Sequence, residues 1–239
     1  MRFLDLTLST PERNLACDEA LLHWCEESEG DEILRVWEAS HPFAVVGYGG
    51  KVAAEVNLPA CRKLGIAVLR RCSGGGAVVQ GPGCLNYALV LRTGGDNSLH
   101  RVPETNRFVL ERVKQALEPI VGPGIEIQGS SDLALQNKKF SGNAQYRKRR
   151  YFLFHGTALL HFDISLIEKL LPMPAKQPAY RKNRPHENFL TNLMLPADKV
   201  KKALRQSWSA GEKFKDIPFE AIERLARERY SKDEWNLKF

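Results

Sequence analysis

Three groups of residues in this 239-residue chain have the types and spacing to do chemistry. The first is Arg70-Arg71-Cys72-Ser73-Gly74-Gly75-Gly76-Ala77-Val78, which follows the apolar run Ile66 to Leu69. Paired guanidinium groups supply cations and successive glycines let backbone close on a ligand, so this loop suits a phosphate or a carboxylate. A glycine run alone is equally the mark of a tight turn or bulge. The second group is Lys138-Lys139-Phe140-Ser141-Gly142-Asn143-Ala144-Gln145. An ammonium held on a strand, as Lys139 would be, can neutralise a carboxylate and then a phosphate as charge develops in a transition state; lysine is also common on surface strands. The third is Phe154-His155-Gly156-Thr157-Ala158-Leu159-Leu160, a histidine and a hydroxyl flanking a glycine in an apolar run. A lone histidine there is ordinarily a satisfied core residue. The separation of His155 from Lys139 matches a two-stranded return, which would bring both toward one cavity.

The elements that must position these groups can be read from periodicity. Phe3 to Leu8 alternates as an edge strand, and Ser9-Thr10-Pro11 supplies a cap and first turn for a helix in which Cys17, Ala20, Leu21, Trp24 and Cys25 recur at helical spacing. Strands are expected at Ile33 to Trp37 and Phe43 to Gly47, then a short helix at Pro59 to Leu64. A strand at Ile66 to Arg70 leads into the glycine loop, and another apolar run covers Leu85 to Leu91. Glu104 to Leu117 sets Val109, Val113, Ala116 and Leu117 on one helical face after Pro103. Short strands at Ile125 to Gln128 and Leu133 to Leu135, a turn at Gln136-Asn137, and a hairpin of Phe140 to Tyr146 with Tyr151 to His161 complete the sheet. Helices at Ser165 to Leu171, Asp198 to Trp208 and Phe219 to Tyr230 follow, with an irregular proline-bearing stretch up to Pro185 between the first two. Strands early and helices late argue for an α+β class with a mixed sheet, read as one domain over residues 1–239 with the helices of 196–239 packed on it.

Composition bounds the partners. A formal charge of +7 and basic clusters at Lys138-Lys139, Arg147-Lys148-Arg149-Arg150 and Arg181-Lys182 with Arg184 favour anionic partners, or a solvated basic face. No zinc-finger, RNP-type or helix-turn-helix signature is present, which argues against nucleic acid. The first residues are too soon charged for a signal peptide and no apolar run approaches a membrane span, so a cytoplasmic protein without membrane association is expected. Five cysteines without a Cys-x-x-Cys pair imply neither a disulfide framework nor a zinc site.

Taken in order, the three blocks resemble the signature blocks of the lipoate-protein ligases, within the wider group of biotin and lipoate ligase catalytic domains. Other pieces agree: Asn14-Leu15-Ala16 before Asp18-Glu19-Ala20, Arg35-Val36-Trp37, Val46-Gly47 with Glu55-Val56-Asn57, Ser131-Asp132-Leu133 and Glu234-Trp235-Asn236. The resemblance implies a class II synthetase or biotin ligase-like fold, with a mixed β-sheet flanked by helices as a single catalytic domain. It also implies a two-step reaction. The carboxylate of lipoate or octanoate attacks ATP, with Mg²⁺ present, to give an acyl-adenylate; a lysine of a lipoyl carrier domain then takes the acyl group and releases AMP. Lys139 would be the catalytic cation. Arg71, Ser73, Gly74, Gly75, Gly76, Ser141, Gly142, His155, Gly156 and Thr157 would bind substrate or adenylate, Trp37 and Val78 would wall the acyl tunnel, and Asp132 would face the nucleotide or its Mg²⁺.

The chain also departs from that pattern. Val79-Gln80-Gly81-Pro82 stands where an aromatic-His-Asp is common, and Gly83-Cys84-Leu85-Asn86 where Gly-Asn-Leu-Asn is usual. Many ligases continue past the Glu-Trp-Asn block into a smaller domain, whereas this chain reaches only Phe239, so a separate accessory subunit is one expectation. A rival reading is an ATP-independent octanoyl- or lipoyl-transferase with a cysteine nucleophile. Gly129 to Lys138 holds no cysteine, and neither does any position after Cys84; Cys72 beside two arginines is the remaining candidate. The same residues are also compatible with a biotin ligase or with a non-catalytic carrier-binding homologue.

Overall fold

The computed structural model describes residues 1–94, 99 and 101–239. Its strands are β1 (Arg2–Asp5), β2 (Ile33–Glu38), β3 (Phe43–Val46), β4 (Val68–Arg70), β5 (Val78–Gln80), β6 (Cys84–Arg92), β7 (Ile125–Gln128), β8 (Asp132–Leu135), β9 (Lys138–Arg147), β10 (Tyr151–Leu159) and β11 (Glu212–Lys213). Eight of them form one mixed sheet in the order β11-β1-β2-β6-β10-β9-β8-β7, and β4-β3-β5 form a second, smaller sheet. In the large sheet β1 runs parallel to its neighbours β11 and β2, while the other pairs are antiparallel. This is the expected α+β class.

The two faces of the large sheet are covered by different helices. Helix α1 (Pro11–Ser28) starts where Thr10 Oγ1 accepts from the Arg13 N–H and Pro11 occupies the first turn, and it stops where Glu29 turns left-handed. It packs on one face with α8 (Phe219–Leu225), sharing a core of Leu15, Ala16, Leu21, Trp37, Ala88 and Leu153. Helix α4 (Val102–Val121) covers the other face with α7 (Ala197–Ser207), around Val109, Val113, Leu89, Phe154 and Leu204. Central strand β6 is buried on both faces, which is why it reads as a continuous apolar run. The small sheet packs against α3 (Leu58–Leu64), α5 (Ile164–Leu170) and α6 (His186–Phe189) in a third core.

The elements differ from the sequence expectation mainly at their ends. The first strand stops at Asp5 and the fourth starts at Val68, and α4 runs on through Pro119 to Val121. The helix expected over Phe219 to Tyr230 divides, because Ala226–Tyr230 opens into a π-turn. Strands β5 and β11, and helices α2 (Val52–Glu55) and α9 (Asp233–Asn236), are too short to leave a periodic signal. No helix among the described residues is long and apolar enough to cross a membrane.

Candidate active site

Cross-strand pairing sets which side chains share a face. Arg35 and Trp37 of β2 lie opposite Ala88 and Asn86 of β6, those lie opposite His155 and Thr157 of β10, and those in turn lie opposite Ala144 and Gly142 of β9. Gly142 lies opposite Asp132 of β8. One side of the sheet therefore carries Arg35, Trp37, Asn86, His155, Thr157, Gly142 and Asp132, the side toward α1.

Lys139 joins them through an irregularity. It lies three positions before Gly142, which in a regular strand would place the two on opposite faces. Between β8 and β9 the register slips so that Leu133 pairs Ser141 but Ala134 pairs Lys139, leaving Phe140 as the extra residue of a bulge. The slip restores the phase. A Cβ built on Gly142 would meet Lys139 Nζ at 2.7 Å, so the missing side chain at Gly142 makes room for the ammonium. Lys139 Nζ pairs with Asp132 Oδ1 at 2.8 Å, and Tyr180 donates its hydroxyl to Asp132 Oδ2 at 2.8 Å. Burial and the Asp132 carboxylate both push the Tyr180 hydroxyl well above its ordinary range, so it stays a donor.

The glycine loop closes over the same face. Gly75 has φ +91°, in the left-handed region that favours glycine, and lies next to Ala144, one step along β9 from Gly142 on that face. Both arginines before the loop serve its backbone. Arg71 is buried and gives its N–H groups to the carbonyls of Gly74 (2.6 Å), Gly76 (2.9 Å) and Val45 (3.5 Å) and to Ser73 Oγ (3.1 Å). Arg70, fully buried, donates to the carbonyls of Gly47, Tyr48, Gly50, Trp235, Asn236 and Lys238. The expected pair of anion-facing cations is thus corrected for Arg70, whose donors are spent on carbonyls; Arg71 holds the loop's shape. Anion-binding capacity instead passes to the exposed backbone of Gly74 to Gly76 and to Lys139.

A chain of buried polar groups runs beneath the loop. Ser73 Oγ lies 2.6 Å from His155 Nε2, His155 Nδ1 lies 3.5 Å from Asp18 Oδ2, and Arg35 Nη1 donates to Asp18 Oδ1 at 2.5 Å. Arg35 is fixed further by the Leu6 and Asn14 carbonyls and by Asn14 Oδ1. Alongside, Gln80 Nε2 donates to Thr157 Oγ1 at 3.3 Å, and Thr157 donates to Asn86 Oδ1 at 2.9 Å. Gln80, which stands among the altered residues after the loop, therefore takes part in the site. Trp37 and Val78 share the apolar cluster with Leu69 and Cys72.

Two expected site residues point elsewhere. Ser141 and Gly156 belong to the opposite face: Ser141 Oγ accepts from Asn143 Nδ2 at 3.2 Å, and a Cβ at Gly156 would run into Asn143 Oδ1 and the Tyr87 ring. Their side-chain positions serve the packing under α4, so only their backbone can meet a ligand on the loop side. Sequence reasoning passed over Asp18, Arg35, Asn86 and Tyr180 as site residues. The one available signal was acidic residues at Asp18 and Glu19 in the middle of an otherwise apolar helix stripe.

The five cysteines, Cys17, Cys25, Cys61, Cys72 and Cys84, are all buried. Burial pushes the Cys17 thiol up to about 11 and that of Cys25 up to about 12, and raises Cys72 and Cys84 further. At Cys72 burial is the largest effect, and the neighbouring arginines give their N–H groups to carbonyls. Among the described residues no group of three or more His, Cys, Asp or Glu side chains converges to hold a metal. Asp132 alone is a donor set suited to an ion that arrives with nucleotide phosphates, the usual manner of Mg²⁺, rather than to a resident metal.

This mixed sheet, with a glycine loop, a strand lysine and a half-buried histidine on one face, has the architecture of the lipoate-protein ligase catalytic domains. Residues 10–208 match the family model of the lipoyl protein ligase A/B catalytic domain. The chain belongs to that family. It is 25% identical to the octanoyltransferase LipM of Geobacillus kaustophilus, over 99% of this chain and 98% of that protein. Among solved structures it superposes with TM-score 0.81 and 27% identity on a bi-partite lipoate protein ligase from Thermoplasma acidophilum, studied with its E2 lipoyl domain, over 99% of this chain and 95% of that one. A lipoate-protein ligase A bound with ATP gives TM-score 0.79 at 27% identity, over 99% of this chain and 98% of that chain.

Proposed function

We propose that this protein is an ATP-dependent lipoate-protein ligase, activating lipoate or octanoate as the acyl-adenylate and passing the acyl group to a lysine of a lipoyl carrier domain. Transfer between carriers through a cysteine is the competing chemistry, and the observation that favours the ligase is that none of the five thiols is accessible or acidified. A nucleophilic thiol needs an electropositive, exposed setting. The placement of Lys139, paired with Asp132, on the sheet face that the glycine loop covers supports the same reading. In the adenylation step the acyl carboxylate approaches the exposed loop backbone, and Lys139 leaves Asp132 to neutralise the carboxylate and the α-phosphate as charge builds between them. Asp132 then faces the nucleotide, where Mg²⁺ carried by the phosphates would offset their charge. Trp37 and Val78 line the path of the aliphatic chain. Transfer follows when the carrier's amine attacks the mixed anhydride and AMP leaves.

The similarity to a chain of a bi-partite ligase supports a second polypeptide as a partner in adenylation or carrier docking. Exchange of labelled pyrophosphate into ATP, dependent on lipoate or octanoate and Mg²⁺, tests the activation step with this chain alone and with such a subunit added. Lys139→Ala should reduce exchange by at least two orders of magnitude, as loss of a transition-state cation does. Wild-type exchange in that variant, or carrier acylation that never requires ATP, would overturn the assignment.

A further inference from the structure

Lys139 is already neutralised before any substrate arrives. Its ammonium pairs with Asp132 Oδ1 at 2.8 Å, so its charge reaches an acyl carboxylate or a phosphate only when that pair opens. Opening it creates a difficulty at the other partner. Asp132 is 9% exposed, and a carboxylate left buried without a partner is costly enough to hold the cation where it is. Among the described residues the carboxylate has one other hydrogen-bond partner, Tyr180, whose hydroxyl donates to Oδ2 at 2.8 Å.

The fold fixes both ends of that hydrogen bond. On the aspartate side, Ser131 Oγ donates to the Asn143 carbonyl at 2.7 Å and Asn143 Nδ2 donates back to the Ser131 carbonyl at 2.9 Å, a reciprocal clamp on the residue before Asp132. Tyr180 comes from the irregular segment after α5. Its ring lies 5.1 Å from that of Phe189, and its carbonyl accepts from Arg184 Nη2, which also donates to the Asn137 carbonyl in the turn between β8 and β9. Gly129 completes the seat: it adopts φ +57°, and a Cβ there would come within 3.1 Å of Pro178 and 3.7 Å of the Tyr180 ring. Burial and the Asp132 charge both keep the phenol protonated, so the hydroxyl remains a donor when Lys139 departs.

We infer that Tyr180 is the positioning residue that lets Lys139 change partners: it confines the ammonium to one oxygen of Asp132 and keeps the carboxylate hydrogen-bonded once the ammonium has moved to substrate. The inference rests on the reading of Lys139 as the transition-state cation and adds to it the residue that makes the cation available. A hydrogen bond on Oδ2 draws charge from Oδ1, so Asp132 holds Lys139 less tightly than an unshared carboxylate would. Without the hydroxyl, both oxygens are free for the ammonium, and its release leaves a buried carboxylate with no partner among the described residues. The hydroxyl touches neither acid nor nucleotide in this scheme. Its effect therefore falls on the rate of the bound complex, not on the binding of either substrate.

Two measurements on the full chain test this, one with ATP and one without. In lipoate-dependent pyrophosphate exchange, Tyr180→Phe, which keeps the ring, should lower the saturated rate roughly 10- to 100-fold, the worth of one hydrogen bond to a charged group, while the half-saturating concentrations of ATP and lipoate stay as in the wild type. In the second, trace acetic anhydride without nucleotide, followed by peptide mapping, reads the reactivity of the Lys139 amine against exposed Lys199. A tighter ion pair keeps the amine protonated, so labelling of Lys139 should fall several-fold in Tyr180→Phe. In an Asp132→Asn background the tyrosine change should alter labelling no further, because the hydroxyl acts only through the carboxylate. Equal labelling of Lys139 in wild type and Tyr180→Phe overturns the inference whatever the exchange assay gives. So does a labelling difference that persists with Asp132→Asn, or an exchange defect confined to the half-saturating concentrations. A wild-type chain that exchanges no pyrophosphate would sink the ligase reading, and the labelling comparison would still decide whether Tyr180 controls Lys139.

Discussion

Replacing Arg70 by methionine isolates the strongest structural demand made by the arginine pair. Met is close in length and apolar, so the change removes the donors while filling most of the space. In the wild type the guanidinium and its Nε–H serve six carbonyl oxygens, two in residues 47–48, one at Gly50 and three in residues 235–238. A buried acceptor left without a partner costs about 1–3 kcal/mol, but such terms do not add, because water and backbone shifts recover part of each. Removing one member of a buried charged set typically costs about 3–5 kcal/mol in total, and we expect that range here. For a domain of this size it corresponds to a fall in Tm of roughly 6–20 °C. Urea unfolding followed by tryptophan fluorescence measures the loss. Amide exchange should accelerate over residues 235–239 and at Gly47 to Gly50 together, since one side chain holds both. Arg70→Lys, with three donors on a shorter side chain that reaches fewer of these oxygens, should fall between the two. A methionine variant within 1 kcal/mol of wild type, with unchanged exchange in both segments, would refute the argument that Arg70 is a tether.

Other consequences are more local. Gly47→Ala should cost more than the usual overpacking of about 1–3 kcal/mol and weaken acyl binding, because the new Cβ would fall on the Gly75 carbonyl oxygen and backbone cannot give way as a side chain can; a thermal melt together with isothermal titration of octanoate checks both. The native protein should resist alkylation by iodoacetamide at pH 8 and take up five equivalents in denaturant. The same thiols give stability a pH dependence: unfolded thiols titrate near 8.5, while Cys17 and Cys25 in the fold titrate at about 11 and about 12. The folded state thus holds protons that the unfolded state loses, so this contribution is intact below about pH 8.5 and disappears as pH rises through 11 to 12. Cys17→Ala/Cys25→Ala should flatten that decline in urea titrations at successive pH values.

What the chain reveals without its fold is the set of elements and the ordered chemical blocks. Apolar runs such as Leu85 to Leu91 and the face of Val109, Val113, Ala116 and Leu117 mark strand and helix because burial imposes its period on the sequence. The three blocks carry the family because glycine runs, a strand lysine and a His-Gly-Thr string are local patterns. Geometry between blocks is not local. Lys139 and Gly142 share a face only through the bulge at Phe140, which depends on how β8 pairs with β9 and leaves no mark in residue type. The adjacent arginines look like matched anion receptors. Arg70 nonetheless became a tether, because its acceptors come from residues 47–50 and 235–238, far away along the chain. Cys72 looked activated beside them until burial raised its thiol. Asp18, hidden within a helix that reads as core, reaches His155 only when α1 is laid across β10. Sequence alone therefore determined which residues the site could draw on. Which of them meet, which are silenced by burial and which keep free charge was decided by strand register and helix packing, since those set distance and desolvation.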